Sequence, residues 1–307
     1  MAKQPTQISV VIPHLNQPDL LALCLKSLQN GTRLPDEVIV VDNGSAQLPQ
    51  AVCDAFPGTR LLQEVAPGPG LARNHGIANS TGDIVAFIDA DCIASPQWLA
   101  VAEAEMSDPK ASILGGDVRI GCADPDHPTM TEAYESIYAY RMDRYIAKQG
   151  FTGTGNLIVR RTVLEDVGPF AGITVAEDRD WGHRATAKGY SIRFVANMKV
   201  YHPARPNFQD LFVKWDRHMA HDYQRASEHM AGKVKWAAKM VAMVASPLIE
   251  GPRILLTDRI SGRSTRWRAF AGLARIRLHR ARRMASLLLY GDHAALSGQW
   301  NRPDNQD

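Results

Sequence analysis

The chain has 307 residues, 45% of them hydrophobic and 22% charged. That is enough to bury a sizeable core, and it excludes a fibrous, low-complexity or wholly disordered polypeptide. The formal charge of +3 conceals an asymmetry: residues 251–307 hold eleven arginines, no lysine and four aspartates, which implies a polyanionic partner, a membrane surface ahead of nucleic acid.

The first 120 residues alternate strand and helix. Ile8–Pro13 reads as a short apolar strand. Asp19–Asn30 carries leucines 20, 21, 25 and 28 at helical spacing. Strands follow at Asp36–Asp42 and Thr59–Val65, with a short helix near Leu48–Phe56 between them. A Pro-Gly-Pro-Gly turn then opens a helix. The next strand, Ile84–Ile88, ends in Asp89-Ala90-Asp91. Ser95 and Pro96 are expected as N-cap and first position of the helix that follows. This alternation predicts a Rossmann-like, mostly parallel sheet flanked by helices, an α/β fold that binds ligands beyond the carboxyl ends of its strands.

Further on, Gly115–Gly121 and Gly153–Arg161 read as strands, Thr131–Gln149 as one helix, and Val175–Tyr190 as a helix with Gly189 near its end. Ser191–His202 supplies one or two more strands. From Phe208 the pattern is helical, with breaks near Gly232, Pro247–Pro252 and Ser261–Gly262. The expected organisation is therefore an α/β domain over residues 1–230 and a basic helical C-terminal extension over residues 231–307.

Cys24, Cys53, Cys92 and Cys122 are scattered and form no CxxC pair, so reduced thiols and a cytoplasmic setting are expected. The N-terminus shows no signal-peptide core before the first strand, and the apolar stretch Met240–Ile249 is too short to span a bilayer. The expectation is a soluble or peripheral protein.

Two carboxylates at i and i+2 on a strand end, Asp89 and Asp91, can turn toward one hard cation. Mn²⁺ or Mg²⁺ takes oxygen ligands and keeps room for substrate phosphates. The bland alternative is a pair of solvated turn acids. Asp42 ends its strand in Asp-Asn-Gly-Ser, which is also good Asx-turn chemistry. Arg73 lies in a first helical turn, where a helix N-terminus and a guanidinium together suit an anion. Glu177 and Asp178 open a helix, where the macrodipole alone would favour acids. The glycines of Thr152–Asn156 permit close backbone approach to a ligand, and Asn156 could bond a ligand hydroxyl. Tyr134, Tyr138 and Tyr145 share one face of the predicted helix and could stack on an acceptor, although packing against the sheet explains them as well.

Taken together, SVVIPHLNQPDLLALCLKSL, DEVIVVDNGS, GLARNHGIANSTGDIVAFIDADC, GTGNLIVRRTVLEDVGPF and AEDRDWGHRATAKGY resemble, in order and spacing, the family 2 glycosyltransferases of GT-A fold over roughly residues 7–205. The resemblance implies a glycosyltransferase that takes a nucleotide-diphosphate-sugar, with UDP-sugar expected, and transfers with inversion to a glycan or lipid-linked acceptor. It implies that Asp91 is the more direct metal ligand and Asp89 a ribose or metal partner, and that His202 is an additional ligand. Asp42 would contact uracil, Pro13, His14 and Asn16 would line the base pocket, and Arg73 would lie near base and phosphates. His14 stands where relatives commonly carry another residue. Asp178 would be the general base and Glu177 would orient the acceptor or loop; Asp180 is a third acid nearby, and Arg205 could touch phosphate. A sugar nucleotidyltransferase is disfavoured by the absence of its Gly-rich N-terminal signature. A non-catalytic glycan- or membrane-binding module is disfavoured by the intact acids.

The tail Arg266–Tyr290 interleaves arginine with Trp267, Phe270, Leu273, Ile276 and Leu278. It suits an anionic membrane interface, on the inner face of the membrane, or plain packing on the rest of the protein. No nucleic-acid partner is expected.

Overall fold

The structure is a computed structural model that describes residues 6–291. These fall into two units. One takes the chain up to Gly121 and resumes over Tyr140–Pro203; the other takes Cys122–Ala139 and the described chain from Ala204. The sequence pattern suggested a single boundary at residue 230. The division lies instead at Pro203/Ala204, and residues 122–139 join the helical unit because Tyr134 and Ile137 are buried in one cluster with Leu273 and Ile276.

The first unit opens with β1 (Ile8–His14), α1 (Pro18–Gln29), β2 (Glu37–Asp42), α2 (Gln50–Asp54), β3 (Thr59–Gln63), α3 (Pro69–Ala78) and β4 (Ile84–Ile88). Prolines sit in the first turn of α1 and α3, where a missing N–H costs nothing. β1 and β4 are buried on both faces, as strands of a covered parallel sheet must be. Next come β5 (Ile93–Ala94), α4 (Trp98–Met106) and β6 (Ile113–Gly121). The chain then passes through α5 (Met130–Tyr138) of the second unit and returns with α6 (Met142–Gln149), β7 (Asn156–Arg160), α7 (Arg161–Val167), α8 (Glu177–Ala187) and β8 (Ile192–Pro203).

The eight strands form one sheet in the order β3-β2-β1-β4-β7-β6-β8-β5. β1, β2, β3 and β4 pair in parallel, and so do β6 and β8, while β7 runs antiparallel between β4 and β6. β4, β6 and β8 consequently share a direction. The carboxyl ends of β1, β2, β4 and β8, and the loop entering β7, lie along one sheet edge. The sequence scatters these residues over nearly 190 positions, and the topology collects them.

Two local expectations change. Ser95 does not cap α4 with its side chain: its N–H continues the β5–β8 ladder to the Lys199 carbonyl at 3.0 Å, and its own carbonyl takes the Trp98 N–H at 2.9 Å in a turn. The single helix expected over 131–149 is broken between Tyr138 and Met142, where Tyr140 takes φ +46°. A tyrosine in the left-handed region is uncommon and strained.

The second unit adds α9 (Phe208–Ala226), α10 (Met230–Ile249), α11 (Gly251–Leu256) and α12 (Arg263–Tyr290) to α5. α12 buries Leu273, Ile276, Met284 and Leu287 against these helices. Many of its arginines are used internally. Arg266 donates to the carbonyls of Ile254, Thr257 and Ile260, and Arg268 to that of Pro128. Arg280 lies 3.9 Å from the Trp215 ring centre and Arg275 4.6 Å from that of Phe208. Arg205, a candidate phosphate contact, is clamped on buried Glu135, through its backbone N–H at 2.7 Å and its Nη1 at 2.6 Å. No described helix is long and apolar enough to cross a membrane.

Candidate active site

The end of β4 carries the paired aspartates in different roles. Asp89 Oδ1 accepts from Arg73 Nη2 at 2.7 Å, while Arg73 Nη1 donates to Glu177 Oε1 at 3.0 Å. Arg73 is 3% exposed, so one buried guanidinium ties the ends of β4 and α8 together. Its two Nη groups are thus committed to carboxylates. Gly155, at the entry to β7, closes the other side of Asp89: a Cβ there would meet Asp89 Oδ2 at 2.7 Å.

Asp91 faces the end of β8. Its Oδ2 is 3.3 Å from His202 Nε2, and one ligand atom from each of Asp91, Cys92 and His202 lies within 4.8 Å of the others. His202 Nδ1 donates to the Pro203 carbonyl at 2.6 Å. That bond, assigned from the network, leaves Nε2 as the nitrogen available to a metal once it gives up its proton. Burial opposes charge on both groups, but the Asp91–His202 contact wins: the carboxyl is held below the usual range and the imidazole pushed above it. Two hard or borderline donors at one corner fit a divalent cation such as Mn²⁺ or Mg²⁺. Cys92 lies beside them. Burial and the nearby Asp89 and Asp91 push its thiol well up, and its S–H points to Asp91 Oδ1 at 3.6 Å. Asp89, expected as a ribose or metal partner, has its Oδ1 on Arg73.

Asp178, the next residue after Glu177, is half-buried. Burial pushes its carboxyl up, the Arg179 N–H pulls it down, and Glu177 adds a further upward push; the net shift is upward. Asp180 is drawn away, paired with Arg184 Nε at 2.9 Å one turn on. The two acids therefore stand in different surroundings, Asp180 in an ion pair with Arg184 and Asp178 beside Glu177.

His14 and Asp42 form a buried pair, Nδ1 to Oδ1 at 2.9 Å, and His14 Nε2 accepts the Gln17 N–H at 3.1 Å. Both imidazole nitrogens are occupied, so His14 positions Asp42 and offers nothing further to a base. Asp42 Oδ2 takes the N–H groups of Gly44 and Ser45 at 3.2 and 3.0 Å, the Asx-turn arrangement. Burial opposes its charge, and the bonds from Ser45 and His14 outweigh it, holding the carboxyl low. Asn16, at φ +53°, joins the loops after β1 and β2 by accepting from Ala46 N–H at 2.9 Å and donating its own N–H to Ser45 Oγ at 2.8 Å. Pro13 precedes His14 on β1, in register with Val41.

Asn156, read from the sequence as a sugar contact, is turned into the protein. It is fully buried. Its Nδ2 donates to the carbonyls of Asp117 and Met198 at 3.1 and 2.9 Å, and its Oδ1 accepts from Trp98 Nε1 at 2.8 Å. The β6–β8 register slips between Gly116 and Asp117, and the bulge frees those carbonyls. Gly116 makes room, since a Cβ there would meet Asn156 Nδ2 at 2.2 Å. Asn156→Ala should lower stability by about 3 kcal/mol in urea denaturation, because three buried groups lose partners. A loss below about 0.5 kcal/mol would show that the bulge rearranges freely.

Two residues near the metal corner escaped sequence reasoning. Tyr140 lays its hydroxyl 3.0 Å from His202 Nε2, ring centres 4.5 Å apart. Cys92 supports Asp91. Helical periodicity carried no signal for Tyr140, whose role comes from the helix break. Among the tyrosines proposed for an acceptor, Tyr134 stacks on Tyr138 at 5.1 Å within the helical unit, and Tyr145 stacks on Phe151 at 5.4 Å in the sheet unit. Tyr134 and Tyr138 are on α5 and Tyr145 is on α6, so the single predicted helix does not carry all three.

A model of glycosyl transferase family 2 matches residues 9–168, more than half of the chain. The chain belongs to that family. It is a glycosyltransferase. It is 35% identical over 215 residues to glycosyltransferase AglE of Haloferax volcanii, covering 67% of this chain and 70% of that one. It is 27% identical to the pre-mycofactocin glycosyltransferase of Mycobacterium tuberculosis, spanning 45% of that relative's length. The mannosyltransferase PcManGT from Pyrobaculum calidifontis, solved with GDP-Man and Mn²⁺, aligns over 94% of this chain and 89% of its own with TM-score 0.57 and 16% identity. Glucosyl-3-phosphoglycerate synthase from Mycobacterium tuberculosis, solved with Mn²⁺, UDP and phosphoglyceric acid, is 25% identical with TM-score 0.50 over 67% of this chain and 73% of that one. The sheet of this transferase has the GT-A architecture.

Proposed function

We propose that the protein is an inverting, divalent-metal-dependent glycosyltransferase that moves a sugar from a UDP-sugar to a glycan or lipid-linked acceptor. The observation that carries this is the buried Arg73 clamp. It joins Asp89, two residues before Asp91, to Glu177, the residue before Asp178, and this supports reading the two acid groups as parts of one site. Divalent ions accompany UDP or GDP-Man in the structures of the two neighbours described above, which supports Mn²⁺ or Mg²⁺ as the cofactor.

Asp91 and His202 would hold the ion, which when bound offsets the negative charge of the departing diphosphate. Asp42, fixed by His14 and Ser45, presents a preorganised carboxylate near the base site. Asp178, whose carboxyl is pushed by burial above the ordinary aspartate value, takes the acceptor hydroxyl proton as that oxygen attacks the anomeric carbon. Attack from the face opposite the leaving diphosphate inverts the configuration. Free Cys24, Cys53, Cys92 and Cys122 support a cytoplasmic setting, and the basic C-terminal helices a peripheral association with the inner membrane face.

The test is UDP release from a panel of nucleotide sugars with and without Mn²⁺. Metal-stimulated release from a UDP-sugar, accelerated by an acceptor, is expected. Release from none of the panel would overturn the reading.

A further inference from the structure

The helical unit turns an apolar stripe outward. Met230, Val234, Val241 and Leu248 of α10 recur at i, i+4, i+11 and i+18, one face of a 3.6-residue helix. All four are exposed, Leu248 by 76%. Val244 and Ile249 widen the stripe, and Leu255 and Leu256 of α11 continue it, the last 85% exposed. Trp236, Met243 and Pro247 on the other side of α10 are buried. The helix thus has two apolar sides, and the core of its own unit uses one. Scattered exposed aliphatics are ordinary, but an aligned set of this size marks an interaction surface.

Charge identifies the occupant. α10 contains no aspartate or glutamate among its 20 residues, and Lys233 and Lys235 fall on opposite flanks of the stripe. A second copy packed here would bring those lysines together with no acid on α10 to offset them. A helix about 30 Å long with bulky aliphatics on one face and lysines at its borders suits the plane of an anionic bilayer, headgroup phosphates meeting the lysines. The arginine-rich α12 also exposes Trp267, Leu278 and Leu289, but it buries Leu273, Ile276, Met284 and Leu287 in the core, so the longer exposed aliphatic row belongs to α10.

The geometry points to α10–α11 as a membrane-docking face that rests on the interface of an anionic phospholipid bilayer. This deepens the functional reading above, since a lipid-linked acceptor lies at such a surface.

The experiment is co-sedimentation of the full-length protein with vesicles of phosphatidylcholine alone and of an equal mixture of phosphatidylcholine and phosphatidylglycerol. The wild type should pellet with the mixed vesicles at low salt and be released by high salt. Val241→Asp and Leu248→Asp should each lower partitioning by about tenfold or more. Lys233→Gln and Lys235→Gln should each lower it several-fold on the anionic vesicles only. No pelleting of the wild type, or unchanged pelleting of the Val241→Asp/Leu248→Asp double variant, would overturn the proposal. So would a wild-type dimer in sedimentation velocity that the double variant splits without any vesicle binding, which would assign the face to a second copy. UDP release in solution by the double variant should equal that of the wild type. A wild type that releases no UDP counts against the transferase reading and leaves the vesicle result to stand by itself.

Discussion

Asp178→Asn should lower kcat by about 10²–10⁴-fold while nucleotide-sugar binding survives. The amide keeps the shape of the carboxylate and cannot accept the proton. Asp180→Asn should have a small effect, because Asp180 is already paired with Arg184. The pH profile adds an independent check. Burial, with Glu177 beside it, raises the Asp178 carboxyl above the ordinary aspartate value. kcat should therefore fall toward acid with a midpoint above that value, and the acid limb should disappear in the Asn variant. A group whose pKa is raised on folding stabilises the fold below its unfolded pKa, and that contribution is lost as pH rises through the folded value. At neutral pH the charged Asp178 is a burden, so the Asn variant should hold or raise the Tm. Normal turnover by Asp178→Asn, with loss in Asp180→Asn, would assign the base to the other acid.

Removal of the metal should have an effect at least as large. EDTA should abolish transfer, and Mn²⁺ or Mg²⁺ should restore it. Asp91→Ala should lower kcat/KM by about 10³-fold or more, since charge stabilisation by a bound cation is worth several kcal/mol. Titration calorimetry with Mn²⁺ reads the site directly: Asp91→Ala and His202→Ala should weaken binding of the ion. Asp89→Asn should leave that binding closer to wild type, because Asp89 is turned to Arg73, yet it should still impair turnover by loosening the clamp on Glu177. Wild-type Mn²⁺ affinity in Asp91→Ala would remove Asp91 from the metal site.

The sequence by itself determined the α/β class, the parallel first half of the sheet and the family. Two-sided apolar strands such as Ile84–Ile88, alternating with leucine-spaced helices, have few other ways to bury their surface. It also determined where the acids stand, because strand ends are marked locally by Asp42, Asp89 and Asp91. Tertiary structure alone decided what those residues do. Asn156 reads as a polar residue beside glycines and free to bind sugar; a three-residue bulge in β8, invisible to local pattern, turns it inward to satisfy two carbonyls. Arg73 reads as an anion binder; Asp89 and Glu177, 16 and 104 positions away, convert it into a clamp. Asp178 and Asp180 both fall at a helix start, where the resemblance picks Asp178; the fold adds that Asp180 is paired with Arg184. The arginine-rich tail suggested the membrane element; in the fold α12 buries Leu273, Ile276, Met284 and Leu287, while α10 keeps Val234, Val241 and Leu248 exposed. Hydrophobic period reports that a face is apolar. Which neighbour covers it depends on contacts between residues far apart in the chain, and these exist only once the chain has folded.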